Sequence, residues 1–141
     1  MIILDTNVIS EPLRPKPGAG VVAWLDAQAV ETLHLTTISL AEVRYAIACL
    51  PDGRRRQKLH DRFEGEFLPL FQGRTLAFDE PATTAYATLR VQARAQGLAI
   101  GDFDALIASI ASATGFTVAT RDTAPFEAAG VTVVNPFDGA E

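Results

Sequence analysis

The N-terminal segment constrains the fold of this chain more than any other, because a short apolar run ends abruptly in an acid. Ile2, Ile3 and Leu4 are continuously apolar, which is typical of a strand buried on both faces of a parallel sheet. Asp5 follows at once and places a carboxylate at the end of that strand. A buried carboxylate must be hydrogen-bonded or paired with a cation, so Asp5 is the first candidate functional residue.

Strand-like and helix-like segments alternate along the whole chain. Strands are predicted at residues 2–5, 32–36, 75–78, 116–119 and 131–134. Periodicity and capping signals predict helices at residues 7–13, 21–29, 39–50, 54–70, 80–97, 102–113 and 123–129. This alternation predicts an α/β fold with a central, mostly parallel sheet of about five short strands, covered by helices. A chain of 141 residues fits one domain, spanning residues 1–141.

The composition excludes several classes of protein. Hydrophobic residues make up 48% of the chain, too many for a disordered protein, and the single cysteine, Cys49, cannot form an internal disulfide. The apolar start is interrupted by Asp5 and lacks a basic lead-in, and no apolar run approaches the ~18 residues of a membrane span. We therefore expect a cytoplasmic protein without a membrane segment. The net charge of −5 argues against binding nucleic acid by charge alone, but it allows a nuclease whose acids hold cations.

Three further acids lie where predicted helices begin or a predicted strand has just ended: Glu42, Asp104 and Asp122. In a parallel sheet, the carboxyl ends of the strands and the amino ends of the following helices share one edge. We therefore expect these acids to meet Asp5 at that edge. Carboxylates held close together repel one another, and a bound cation relieves the repulsion. The sequence thus predicts a site for Mg²⁺, with Mn²⁺ as the alternative, since both ions prefer oxygen ligands.

Each of these three acids also has a purely structural explanation. Ser39 and Glu42 have the spacing of a capping box, in which Glu42 would bind the backbone at the start of its own helix. Asp104 can be a first-turn acid favoured by the helix dipole. Asp122 can be a turn or N-cap residue. Taken singly, none of the three decides between structure and function.

Five segments, in order along nearly the whole chain, resemble the PIN-domain pattern, and more narrowly the small bacterial toxins of the VapC/FitB type. The segments are Ile3-Leu4-Asp5-Thr6-Asn7-Val8, Ser39-Leu40-Ala41-Glu42-Val43, Asp104-Ala105-Leu106-Ile107-Ala108, Val118-Ala119-Thr120-Arg121-Asp122 and Gly130-Val131-Thr132-Val133-Val134-Asn135-Pro136-Phe137. The resemblance implies a PIN-like three-layer α/β/α sandwich. It also implies a metal-dependent endoribonuclease, the toxin of a type II toxin–antitoxin pair, which cleaves RNA phosphodiesters by a metal-activated water.

The resemblance further implies a role for particular residues. Metal binding and catalysis would fall to four acids: Asp5, Glu42, Asp104 and Asp122. Thr120 would lie beside the metal site, and Thr6 and Asn7 would orient the first acid. Arg14 and Lys16, in the loop after the first predicted helix, are candidate RNA contacts.

The chain departs from the family pattern at its fourth acid. Many such toxins read Thr-Arg-Asn and place an Asp-Phe pair a few residues later. Here Asp122 stands at the Asn position, and Pro125-Phe126 replaces the Asp-Phe pair. The fourth carboxylate can therefore be supplied differently, and Asp102 is the alternative to Asp104 within the same predicted helix.

The partners implied by the resemblance are an RNA substrate and a cognate antitoxin. The antitoxin would be a small DNA-binding protein whose tail covers the active site, and the complex would reach promoter DNA only through it. Homodimerisation is common in the family and is expected here. A basic cluster at Arg54, Arg55, Arg56, Lys58 and Arg62 could contact RNA phosphates or could simply be a solvated helix face.

Two other functions fit parts of the sequence. The first is a PIN-like binding module whose main role is to form a complex with an antitoxin or RNA. The second is a phosphatase of the haloacid-dehalogenase kind, which also begins with a strand and an acid. That class requires a second acid two residues after the first, and Asn7 occupies this position. The sequence therefore favours the nuclease over the phosphatase.

Overall fold

A computed structural model describes residues 1–137 of the chain, and its central element is a five-stranded sheet. The strand order is β3-β2-β1-β4-β5, and all four neighbouring pairs are parallel. The strands are β1 (Ile2–Leu4), β2 (Leu33–Thr36), β3 (Thr75–Leu76), β4 (Thr117–Ala119) and β5 (Val133–Val134). The predicted α/β fold with about five short strands is confirmed. Residues 138–141 of the predicted domain lie outside the described residues.

Helices cover both faces of the sheet. They are α1 (Thr6–Ser10), α2 (Ala19–Ala27), α3 (Thr37–Ala48), α4 (Arg54–Arg62), α5 (Glu80–Ala95), α6 (Asp102–Thr114) and α7 (Thr123–Ala128). Consecutive residues of a strand face opposite sides of its sheet. Accordingly, Ile3 belongs to a core formed with α5, α6 and α7, while Leu4 belongs to a second core formed with α1 to α4. Both side chains are fully buried, which confirms the predicted three-layer sandwich.

All seven predicted helices differ from the observed ones at one end or both, and two of these differences have a clear physical cause. The helix predicted from residue 39 begins at Thr37, because the hydroxyl oxygen of Thr36 accepts a hydrogen bond from the Ser39 amide (3.1 Å) and so forms the N-cap. The helix predicted at residues 54–70 ends as an α-helix at Arg62. It continues as a π-helical turn, Phe63–Phe67, and a 3-10 turn, Leu68–Phe71, which contains a proline near its start.

The topology places the end of β1 at the point where the strand order reverses. From the central β1 the chain adds β2 and β3 on one side, then crosses over and adds β4 and β5 on the other. Ligands of parallel sheets bind at such a switch point, beyond the carboxyl ends of the strands. The amide of Asp5 donates to the carbonyl of Ala119 (2.9 Å), which ties β1 to β4 at this edge. Within residues 1–137, no helix is long and apolar enough to cross a membrane.

Candidate active site

Asp5 lies at the end of β1 and is almost completely buried, with 4% of its surface exposed. It is also the N-cap of α1, since its Oδ1 accepts a hydrogen bond from the Thr6 amide (2.8 Å). Its Oδ2 accepts a hydrogen bond from the Thr120 hydroxyl (2.8 Å) and a longer one from the Asn7 side-chain amide (3.4 Å). Both carboxylate oxygens are therefore held by donors on α1 and on the segment after β4.

The charge on Asp5 is unfavourable where the fold places it. Burial raises the pKa of its carboxyl group from the ordinary value of 3.8 to about 6. The hydrogen bonds from Thr120 and Thr6 oppose this rise in pKa, whereas the charges of Asp104 and Glu42 add to it. Asp5 is thus a carboxylate that its neighbours orient but do not neutralise.

Thr120 connects Asp5 to the segment that follows β4. Its hydroxyl is fully buried, and its Oγ1 accepts a hydrogen bond from the Asp122 amide (3.0 Å) while donating to Asp5. Asn7 makes a parallel connection, because its Oδ1 accepts a hydrogen bond from the Arg121 amide (3.1 Å). The backbone around Asp122 is therefore fixed relative to Asp5 by two side chains.

Glu42 lies in the second turn of α3 and faces α1. Its Oε1 accepts a hydrogen bond from the Thr6 hydroxyl (2.7 Å), and the Ser39 hydroxyl oxygen lies 3.0 Å from that of Thr6. The capping-box explanation of Glu42 is wrong, because Thr36 is the N-cap and Glu42 is too far along the helix to complete the box. Ser39 is buried beside Thr6, and no pattern in the sequence indicated this, because the spacing of Ser39 to Glu42 matched a capping box.

Asp104 lies in the first turn of α6, after the N-cap Gly101, and is half-buried. Burial raises the pKa of its carboxyl group, and the charges of Asp122 and Glu42 raise it further. The charges of two other acids therefore raise the pKa of Asp5, and the charges of two acids likewise raise the pKa of Asp104. Glu42 contributes in both cases. Four acids separated widely in sequence meet at this edge of the sheet, and we call Asp5, Glu42, Asp104 and Asp122 the acid edge.

Asp122 and Asp102 differ in their surroundings. Asp122 is the N-cap residue of α7, yet its side chain makes no capping hydrogen bond, and its charge raises the pKa of Asp104. Asp102 instead pairs with Arg90 of α5 at 2.6 Å, and its side chain is 90% exposed. The structure thus places Asp122 with the acid edge and turns Asp102 towards α5.

The two candidate RNA contacts lie in the loop that follows α1. Arg14 pairs with Glu11 (3.2 Å), a buried acid that also accepts a hydrogen bond from the Gly18 amide (2.8 Å). The hydrogen bond from the Gly18 amide lowers the pKa of the Glu11 carboxyl group, and Arg14 lowers this pKa further by a smaller amount. Glu11 therefore fixes both ends of the loop, whereas Lys16 is exposed between them.

The acids of the edge fit a hard divalent cation by the chemistry of their oxygen donors. Within residues 1–137, however, no three or more His, Cys, Asp and Glu side chains are arranged to hold an ion directly. Mg²⁺ usually keeps several of its waters and takes only one or two protein carboxylates. The edge therefore fits an ion held by one or two direct carboxylates, with the other acids reaching it through water.

The profile of the PIN domain family matches residues 2–131 of the chain. The chain belongs to the PIN-domain family. Two relatives are similar to this PIN domain over almost its whole length. The plasmid stability protein StbB of Pseudomonas syringae pv. tomato is 56% identical over 138 residues, which cover 98% of this chain and 99% of the relative. The VapC ribonuclease Y4jK of Sinorhizobium fredii is 51% identical over 140 residues, covering 99% of this chain and 100% of the relative.

The PIN domain is also similar to a solved structure, that of FitAB bound to an IR36 DNA fragment. The TM-score is 0.93 at 51% sequence identity, and the match covers 96% of this chain and 95% of that chain. The resemblance to the VapC/FitB type, inferred from five short segments, is therefore confirmed. The similarity extends over the whole sheet and the acid edge.

Proposed function

We propose that this PIN domain is a metal-dependent endoribonuclease and the toxin of a type II toxin–antitoxin pair. The observation that carries the proposal is the buried Asp5, whose pKa rises to about 6 while two further acids act on it. Burying a carboxylate beside two others lowers the stability of the folded state unless a cation binds between them. The name of the similar VapC ribonuclease Y4jK supports RNA as the substrate.

The side chains of the acid edge would share the work as follows. Asp5, Glu42 and Asp104 would hold one or two Mg²⁺ or Mn²⁺ ions, with Asp122 acting directly or through water. Thr120 and Asn7 keep Asp5 in one orientation, and Thr6 does the same for Glu42 through its hydroxyl. When bound, the ion would neutralise the phosphodiester and activate a water for attack. The exposure of Asp122 leaves the edge open to a strand of RNA.

The test is cleavage of single-stranded RNA by the purified chain. We expect cleavage with Mg²⁺ or Mn²⁺, none with EDTA, and a loss of about 10²–10³-fold in Asp5→Asn. Asp26→Asn, which changes an exposed acid on α2, should cleave like the wild type. In cells, the wild type should arrest growth and Asp5→Asn should not. Cleavage that survives EDTA or Asp5→Asn would contradict the mechanism, and RNA binding without cleavage would favour the PIN-like binding module.

The proposed partners follow from the same comparisons. The structure of FitAB was solved with a bound DNA fragment. This supports the proposal that an antitoxin binds promoter DNA in a complex with this toxin. A basic residue on the antitoxin tail would complement the acid edge and the net charge of −5. We also propose that the toxin forms a homodimer and acts in the cytoplasm, where its RNA substrate is found.

A further inference from the structure

The basic residues of this acidic chain are concentrated on one helix. The net charge is −5, yet α4 carries five of the 12 Lys and Arg residues, at positions 54, 55, 56, 58 and 62. Arg54, Lys58 and Arg62 are spaced at i, i+4 and i+8, so they form a row along one face of α4. Like charges at this spacing destabilise a helix, so the stability of α4 does not explain the row.

The row faces an open cleft of about 770 Å³ between α4 and the loop after α1. The basic side chains that line this α4 cleft are Arg14, Arg54, Arg55, Lys58 and Arg62. Two acids, Asp61 and Glu66, also line it. Positive charge therefore predominates in the cleft, whereas the chain as a whole is negative.

Some of these cations already have partners. Arg14 pairs with Glu11, and Arg62 donates a hydrogen bond to the carbonyl of Pro12 (2.9 Å). In the part of the chain that the structure describes, no ion pair within 4.0 Å involves Arg54, Arg55 or Lys58. All three are exposed. They are thus available to an anionic ligand at little cost in broken contacts.

The α4 cleft continues towards α1, the helix that begins directly after Asp5 of the acid edge. A second, smaller cleft of about 280 Å³ shares Arg14 and Arg55 with it and extends to Ser10 and Val43. Ser10 lies one turn of α1 beyond Thr6, the residue that donates to Glu42. One helical turn is about 5.4 Å. The second cleft therefore reaches the last residue of α1, and the first residue of the same helix contacts Glu42 of the acid edge.

We propose that the α4 cleft binds the phosphates of the RNA strand next to the bond that is cut at the acid edge. Arg54, Arg55 and Lys58 would be the phosphate contacts. The inference rests on the proposed ribonuclease activity, because the cleft then guides the substrate of that same site. A linear row of cations along a cleft fits a polymer with a charge on every unit better than a folded acidic surface.

The test compares two variants of α4 in the full chain. Arg55→Gln/Lys58→Gln removes two charges from the α4 cleft. Arg56→Gln is the matched control, because Arg56 lies on the same helix but faces Asp52 (3.9 Å) and a different cleft that contains Glu64. Each is assayed at constant Mg²⁺ on a single-stranded 20-mer RNA and on a 4-mer, which offers few phosphates to the α4 cleft. Thermal melting verifies that both variants fold.

We expect the double variant to raise the KM and Kd for the 20-mer between about 2-fold and 30-fold, with kcat unchanged. The slope of log K against log salt should fall by about 0.7 for each lost phosphate contact. The 4-mer and the Arg56→Gln control should show no change. These results together would support an RNA path over α4.

Three outcomes would overturn the inference in distinguishable ways. If the wild type cleaves the 20-mer and the double variant behaves like Arg56→Gln, the RNA path is wrong but the proposed function stands. If the double variant loses binding to a poly-glutamate peptide and retains RNA binding, the α4 cleft serves an acidic protein segment instead. If the wild type neither binds nor cleaves RNA, the proposed function fails together with the path.

Discussion

The acid edge and the α4 cleft concentrate opposite charges by opposite means. The acids come from four segments between residues 5 and 122, and the sheet and its helices bring them together. Asp5 is buried, and its oxygens are held by Thr6 and Thr120. The cations come mainly from nine consecutive residues of one exposed helix. One region depends on the whole fold, and the other on a local sequence.

This difference predicts how each region responds to change. A charge held in a buried, hydrogen-bonded position costs free energy of folding and can act on a substrate without first being reoriented. An exposed charge costs little and is screened by salt. Changes at the acid edge should therefore alter catalysis and stability together, whereas changes in the α4 cleft should alter RNA binding alone.

The largest expected effect concerns stability as a function of pH. The carboxyl group of Asp5 has a higher pKa in the folded chain, about 6, than its ordinary value of 3.8. The folded state therefore binds more protons between these values, and its stability falls as pH rises through them and levels off above about pH 6. The pKa difference corresponds to about 3 kcal/mol. Chemical denaturation from pH 4 to pH 7.5 should show this loss in the wild type and a smaller loss in Asp5→Asn, because the pKa of Asp104 is raised as well.

Magnesium provides the matching control for that experiment. At pH 7.5, Mg²⁺ should restore much of the lost stability to the wild type, because a ligand that binds only the folded state stabilises it. Asp5→Asn should gain little from the ion. A difference in stability between the two proteins that stays constant across pH and Mg²⁺ concentration would contradict both the raised pKa of Asp5 and its role in binding the ion.

A smaller effect is expected at Thr120, which orients Asp5 through a hydrogen bond. Thr120→Val removes the hydroxyl that donates to Asp5 and accepts from the Asp122 amide. We expect kcat/KM for RNA to fall about 10-fold to 100-fold, with a higher Mg²⁺ concentration needed for half-maximal activity. Thr120→Ser keeps the hydroxyl and should retain most of the activity. Equal losses in both variants would point to packing rather than to the hydrogen bond.

The smallest effects are expected at Asp122, the fourth acid of the edge, and at Asp102, the sequence-based alternative to Asp104. Asp122→Asn should lower RNA cleavage about tenfold and lower the pKa of Asp104, whose raised value depends partly on Asp122. Asp102→Asn removes an exposed ion pair with Arg90 and should change stability by no more than about 0.5 kcal/mol. RNA cleavage by Asp102→Asn should stay unchanged. The reverse ranking of the two variants would exclude Asp122 from the acid edge.

The fold was largely predictable because its signals are local. A continuous apolar run marked the first strand, and the alternation of strands with helices indicated the parallel sheet. Helix limits were less accurate, because the N-cap of α3 is Thr36 rather than Ser39, and both residue types suit that position. The predicted helix 54–70 gives way to a π-helical turn at Phe63. The ring of Phe67 packs between those of Phe63 and Phe71, with centroid distances of 5.8 Å and 5.0 Å.

The candidate site was predictable only in part. Asp5 could be singled out because an acid after a buried strand is unusual, and topology placed Glu42, Asp104 and Asp122 at the same edge. The hydrogen bond from Thr6 to Glu42 joins residues 36 positions apart, and nothing in the sequence near either residue indicates it. Such contacts depend on how α1 and α3 pack, which is a property of the tertiary structure.

The central position of β1 also determines how much of the chain must be synthesised before the acid edge can form. Asp5 is synthesised before its partner Thr120, which lies 115 residues later in the chain. β1 likewise needs β4, near the end of the chain, for pairing on its second side. Contacts this distant in sequence form late. A translation product that stops before residue 120 therefore carries Asp5 without Thr120 and without the complete pairing of β1, and we expect it to lack the assembled acid edge.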